Sequence, residues 1–186
     1  LARSVGEQES VEFSAIFLDV GGGTTDVAVV RSGGVEGTKM FALGGRAFTK
    51  RIAQTTNSSF VKAEELKLAY SAGDLPDKKY DQIKKALASD AQVWIAGVEL
   101  ALEEFPQDLL PSRIFLAGGG SNLPEIPHVL KIHKWSKKLP FARKPNVHFI
   151  KPQDVASIFD ETKQLRNPQD ITPMALASLA IDLIGE

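Results

Sequence analysis

Apolar residues follow two different rhythms along this chain. From Phe13 to Arg31 they form two short runs, Ile16-Phe17-Leu18 and Val27-Ala28-Val29-Val30, separated by Asp19-Val20-Gly21-Gly22-Gly23-Thr24-Thr25-Asp26. Short apolar runs bounded by glycines read as buried strands, and the pair reads as a hairpin. Ser32-Gly33-Gly34 is a turn, Val35 to Leu43 a third strand, and Gly44-Gly45 breaks it. The spacing then becomes helical. Ala47, Phe48, Arg51, Ile52 and Thr55 place a helix over 46–56, and 61–70 form a short helix that Gly73 to Pro76 stop. The longest helix covers about 77–105. Its stripe Ile83, Leu87, Ala91, Trp94, Val98, Leu102 and Phe105 repeats every three or four residues, which is core packing with Trp94 as an anchor.

Beyond Pro111 strand and helix signals alternate. Arg113 to Ala117 is a buried-type strand, with Gly118-Gly119-Gly120-Ser121-Asn122 at its C-terminal end and a helix carrying Pro124 in its first turn. Residues 146–150 form another strand, Pro152 and Asp154 lead into a short helix, and Thr172-Pro173 opens a last helix over 173–184. Residues 1–12 are polar and expected to be frayed or edge structure. The order β-β-β-α-α-α-β-α-β-α is an α/β fold: a mixed sheet, antiparallel hairpin plus parallel strands, flanked by helices.

The two glycine turns carry the candidate chemistry. Glycine suits backbone that turns sharply or lies against a ligand, because it has no Cβ. Backbone N–H groups freed in such a turn form an anion-binding concavity, and Asp19 just before the first turn suits a hydrated cation. Taken alone, Gly21–Gly23 is equally well explained by the hairpin. The segment lacks the Lys-Ser/Thr of a P-loop, and its glycines do not open a helix as in a dinucleotide fold. The second turn sits between strand and helix, where open α/β sheets bind ligands. Together the two turns suggest a nucleotide laid across a sheet edge.

Composition narrows the classes. The chain has 186 residues, 43% hydrophobic and 24% charged, as in an ordinary globular domain or one large lobe. A net charge of −1 gives no global pull toward nucleic acid, so no nucleic-acid partner is expected. Absence of cysteine excludes disulfides and cysteine metal sites. His128, His133 and His148 do not form a metal spacing, and Ser121 lacks a nucleophile-elbow pattern. Between Glu125 and Asp154 stand seven bases and no acid, with Trp135 and Phe141 interleaved. That 131–151 segment reads either as a patch for an anionic partner such as a membrane surface or as a solvated face.

Leu18-Asp19-Val20-Gly21-Gly22-Gly23-Thr24-Thr25-Asp26 resembles the second phosphate motif of the actin-like ATPase superfamily, and Ile114-Phe115-Leu116-Ala117-Gly118-Gly119-Gly120-Ser121 resembles its adenosine motif. Gly44-Gly45 with Phe48-Thr49-Lys50-Arg51-Ile52-Ala53, and Ala63-Glu64-Glu65-Leu66-Lys67, are similar to the bacterial cell-division FtsA family. The pilus-assembly PilM family is the nearest competing resemblance, and chaperone and sugar-kinase ATPases share the superfamily. The resemblance covers nearly all of the chain from residue 13 on. It implies a ribonuclease H-like, actin-like ATPase lobe that binds ATP with Mg²⁺. Residues 13–45 and 105–186 would form its nucleotide-binding core, 46–80 a reduced helical peripheral subdomain, and 77–105 the helix returning to the core.

Residue by residue, the resemblance makes Asp19 the group that holds Mg²⁺ through water or positions the attacking water. Gly21, Gly22, Gly23, Thr24 and Thr25 would meet the phosphates. Gly118, Gly119 and Gly120 would face the adenosine, with Ser121 beside them, and Glu64 and Lys67 the ribose and base. Without that context Glu64 and Lys67, three apart on a helix, are a surface ion pair. The implied role is a nucleotide-dependent scaffold with protein partners in the division or pilus machinery. Its implied place is the cytoplasm, at the inner face of the membrane. FtsA carries a small inserted sheet after the Ala-Glu-x-Leu-Lys helix, whereas only about ten residues, Ser71 to Tyr80, stand there here. The N-terminal lobe of the superfamily has no counterpart in the 186 residues, so weak ATP binding and no appreciable ATPase activity are expected of them alone.

Overall fold

The computed structural model describes residues 13–106, 109–132, 134–155 and 160–184. The expectations for residues 1–12 and for a helix following Asp154 fall outside the described residues.

The hairpin forms as its apolar runs dictate, from β1 (Ala15–Val20) and β2 (Thr25–Arg31), and β3 (Gly34–Phe41) extends it antiparallel. Three helices follow: α1 (Gly45–Thr56), α2 (Phe60–Ala72) and α3 (Asp77–Glu103). The Ser59 hydroxyl accepts from the Lys62 N–H at the start of α2, and Gly73, at φ +79°, closes it in the left-handed conformation that favours glycine. Only residues 73–76 separate α2 from α3, which leaves no room for an inserted sheet.

The second half contributes β4 (Arg113–Ala117), α4 (Glu125–Ile132), β5 (Asn146–Phe149) and α5 (Ile171–Ile184). A 3₁₀ turn over Gly119–Asn122 stands between β4 and α4, so Pro124 precedes the helix instead of lying in its first turn. The sheet order is β3-β2-β1-β4-β5, with β1/β4 and β4/β5 parallel. The mixed α/β architecture expected from sequence is therefore the observed one.

β1 is central and buried on both faces, as a strand covered by helices on each side must be. Successive side chains alternate. Ile16, Leu18 and Val20 face a core shared with α1, α2, α3 and α4, where Phe48, Ile52, Tyr70, Leu87, Trp94 and Ile126 are buried together. Ala15 and Phe17 face the smaller core of Ala117, Ile150, Ile171 and Met174 beneath α5. By the same alternation Asp19 points to the α5 side. Trp94 is the expected anchor, fully buried, and its indole N–H donates to Thr25 Oγ1 at 2.9 Å. No helix among the described residues is long and apolar enough to cross a membrane.

Candidate nucleotide site

The two glycine turns meet because β1 and β4 are parallel neighbours and end at the same edge, with Asp19 opposite Ala117. The first turn is closed by Gly21 N–H donating to Thr24 O at 2.9 Å. Its carbonyls cap α1: Gly45 N–H donates to Gly21 O at 2.9 Å and Arg46 N–H to Gly22 O at 2.7 Å. The leading donors of α1 are thus occupied within the protein.

The glycines divide into two groups by what a methyl group would meet. At Gly44 a Cβ would lie 2.6 Å from Gly21 O, at Gly118 2.2 Å from Asp19 Oδ1, and at Gly120 2.6 Å from Val20 Cγ1. Gly118 also adopts φ +81°, ψ 156°, a region open essentially to glycine alone. These three are glycine because the two turns pack backbone against backbone. Gly21, Gly22, Gly23 and Gly119 differ. None has a positive φ, and a Cβ would meet nothing closer than 3.4 Å. Packing within the chain does not require glycine at any of them.

Between the turns and α2 opens a cleft of about 550 Å³. Of the residues singled out from sequence, Gly21, Gly22, Glu64, Lys67, Gly119 and Gly120 line it. Gly45, Leu68, Ser71, Ala72, Asn122, Leu123, Asn167 and Gln169 complete the wall, and sequence reasoning had no signal for Asn167 and Gln169. Gly118 N–H donates to Pro168 O at 3.0 Å, which holds the 167–170 turn against the second glycine turn.

Other candidates are placed differently. Thr25 is fully buried, donates its hydroxyl to Leu43 O at 2.7 Å and accepts from Trp94. Its side chain thus serves the core. Ser121 is also fully buried, and its hydroxyl turns back to Gly118 O at 2.7 Å. Thr24 Oγ1 reaches Asp26 Oδ2 at 3.3 Å, which closes the hairpin tip. Asp19 Oδ2 accepts from the Thr172 hydroxyl at the start of α5, a partner the sequence marks only as a helix opener.

Glu64 and Lys67 are not a surface pair. Lys67 is 9% exposed, and its ammonium reaches Gly45 O at 3.3 Å, Thr49 Oγ1 at 3.0 Å and Glu64 Oε2 at 2.9 Å. An ammonium has three N–H donors, and all three find partners inside the protein. Thr49 Oγ1 also lies 2.5 Å from Glu64 Oε2. Burial pushes the Glu64 carboxyl up, but hydrogen bonds from Lys67 and Thr49, with the charges of Lys67 and Arg46, outweigh it and hold the carboxyl below its ordinary range. Lys67 therefore pins the Gly45 backbone to α2, while Glu64, with 38% of its side chain exposed, faces the cleft.

In the basic 131–151 segment, Trp135 is buried and meets Phe141 edge-on at 5.7 Å. Both aromatics are directed inward, and Lys138 pairs with Glu99 at 3.2 Å. Lys131, Lys134, Lys137, Arg143, Lys144 and Lys151 are exposed, and Phe149 is an exposed aromatic among them.

A mixed sheet with helices on both faces, and two glycine turns at the ends of adjacent parallel strands, is the architecture of the actin-like ATPases. Solved structures share it. A PilM–PilN type IV pilus biogenesis complex matches 95% of this chain and 48% of its own at TM-score 0.64 and 24% identity. The ethanolamine utilization protein EutJ of Carboxydothermus hydrogenoformans matches 78% and 48% at TM-score 0.56 and 20% identity. The family model for cell division protein FtsA matches residues 16–175, and the chain belongs to the FtsA family. FtsA of Pseudomonas aeruginosa is 28% identical over 66% of this chain and 34% of its own length, and that of Neisseria meningitidis 25% identical over 98% and 46%. The chain thus spans less than half the length of these curated relatives.

Proposed function

We propose that this chain forms the adenosine-side half of an ATP·Mg²⁺ cleft in an FtsA-type scaffold protein of cell division, at the cytoplasmic face of the membrane. The observation that carries the reading is the second group of glycines. Gly21, Gly22 and Gly119 present bare backbone to the cleft where the chain itself has space for a side chain. A ligand lying against that backbone supplies the missing reason. On this reading Gly21, Gly22, Gly23 and Thr24 meet the phosphates, Gly119 and Gly120 the adenosine, and Glu64 accepts from ribose hydroxyls. Lys67 positions Gly45 and Glu64 without touching the ligand. Gly118, Thr25 and Ser121 hold the turns in place, and 46–80 form a reduced peripheral subdomain.

Asp19 suits an ion brought by the nucleotide. Mg²⁺ commonly uses one or two carboxylates, with water and substrate phosphates filling its other positions. Asp19 offers one carboxylate with one oxygen fixed by Thr172, which fits contact through water. When bound, Mg²⁺ would neutralise phosphate charge.

Thermal melting of the intact protein with and without ATP·Mg²⁺ tests the reading. The wild type should melt higher with nucleotide, and Gly22→Ala should melt normally without it yet lose most of that shift. An unaltered shift in Gly22→Ala, or none in the wild type, would sink the proposal. The PilM likeness over 95% of the chain favours a second reading, a pilus-assembly interaction module with weak or no nucleotide binding. That module would show no shift.

A further inference from the structure

A second cavity, of about 340 Å³, lies between α2, α3 and α4 and shares no lining residue with the nucleotide cleft. Glu125, on α4, is 8% exposed. Its Oε1 accepts from the Tyr70 hydroxyl, while its Oε2 is buried with no hydrogen-bond partner. The Tyr70 and Tyr80 rings lie beside it, tilted by 35° with their centroids 4.6 Å apart. Ala88, Ala91 and Val129 supply apolar wall, and Lys84 and His128 stand exposed at the mouth.

A buried carboxylate oxygen without a donor is costly and calls for an explanation. Burial raises the Glu125 carboxyl above its ordinary range despite the hydrogen bonds from Tyr70 and from its own backbone N–H and the nearby Lys84 and His128 charges. Anionic ligands meet a like charge, and purely apolar ones leave the oxygen bare. No group of three metal-ligating side chains lies here or elsewhere among the described residues. An organic ammonium supplies the missing N–H donor, and tyrosine faces attract cations. We propose that this cavity binds a small primary amine on an apolar body, with its ammonium on Glu125 Oε2 and its body against Tyr70, Tyr80 and Ala91. Lys84 carries the ligand's sign at the mouth, so Lys84→Met should tighten binding.

Calorimetric titration of the intact protein at pH 8 with benzylamine and with its neutral counterpart benzyl alcohol tests this. The wild type should bind the amine at least about tenfold more tightly, the usual scale of a charge-assisted hydrogen bond. Glu125→Gln should abolish that preference. Ala88→Phe, on the exposed side of α3 at the mouth, should block the amine while leaving the melting temperature unchanged. No saturable amine binding, equal affinities for the two probes, or a preference that survives Glu125→Gln would overturn the assignment. Should Glu125→Gln not fold, unaltered amine binding by Ala88→Phe overturns it.

Discussion

Replacing Gly44 with alanine isolates the contact between the first glycine turn and α1. Gly44 sits at φ −140°, ψ −165°, extended backbone that alanine adopts without strain, so the whole cost is steric. The new Cβ would lie 2.6 Å from Gly21 O and 2.8 Å from Thr24 O, where ordinary contact begins at 3.4 Å. The turn must retreat by about 0.8 Å. That would stretch the Gly45–Gly21 and Arg46–Gly22 hydrogen bonds, now 2.9 and 2.7 Å, beyond useful length. Two bonds at about 1 kcal/mol each and overpacking strain of about 1–3 kcal/mol give a loss of about 3–5 kcal/mol. Gly22→Ala, whose Cβ would meet nothing nearer than 3.7 Å, should stay within about 0.5 kcal/mol of wild type. Urea unfolding followed by the fluorescence of buried Trp94 and Trp135 reads both variants. A Gly44→Ala loss under about 1 kcal/mol, or a Gly22→Ala loss equal to it, would refute the division of the glycines into two groups.

Other perturbations address single contacts. Trp94→Phe keeps the ring in the core but removes the donor to Thr25, and should cost about 1–2 kcal/mol in the same unfolding assay. Asp19→Asn keeps an acceptor for Thr172, so its melting temperature should stay near wild type while Mg²⁺-dependent nucleotide stabilisation is lost; Asp19→Ala should lose both. Lys67→Met removes all three contacts that fix Gly45, Thr49 and Glu64, and should lower stability and nucleotide affinity together. The Glu64 carboxyl is held below its ordinary value of 4.5 in the folded state, so its contribution is complete above that pH and fades as pH falls below it. Glu64→Gln should flatten that acid limb in a pH series of unfolding midpoints.

Local periodicity made most of the fold legible. Strands and helices fell where the apolar spacing put them, because each buries one face or both against a shared core. The sheet order was not readable, since it depends on which apolar runs become neighbours after long connections. Asp19 and the two glycine triplets were visible as turns at strand ends, yet their division of labour was not. Gly118 and Gly21 look alike in sequence, and only the parallel pairing of β1 and β4 brings Asp19 within reach of one of them. Lys67 looked like a surface residue because its partners, Gly45 and Thr49, come from another helix. Asn167 and Gln169 escaped notice because a polar loop residue carries no period, and Thr172 read only as a helix opener because its partner Asp19 lies on a distant strand.

The most direct measurement is the affinity of the intact protein for ATP·Mg²⁺ by calorimetry, wild type beside Gly119→Ala. Gly119 lines the cleft, has no positive φ, and would hold a Cβ 3.7 Å from its nearest neighbour. Gly119→Ala should keep the stability of the wild type while its nucleotide affinity drops at least about tenfold, as a methyl group displaces the ligand from the backbone. Equal affinity in the two proteins, with equal melting, would mean that the bare backbone of this cleft is not there for a nucleotide.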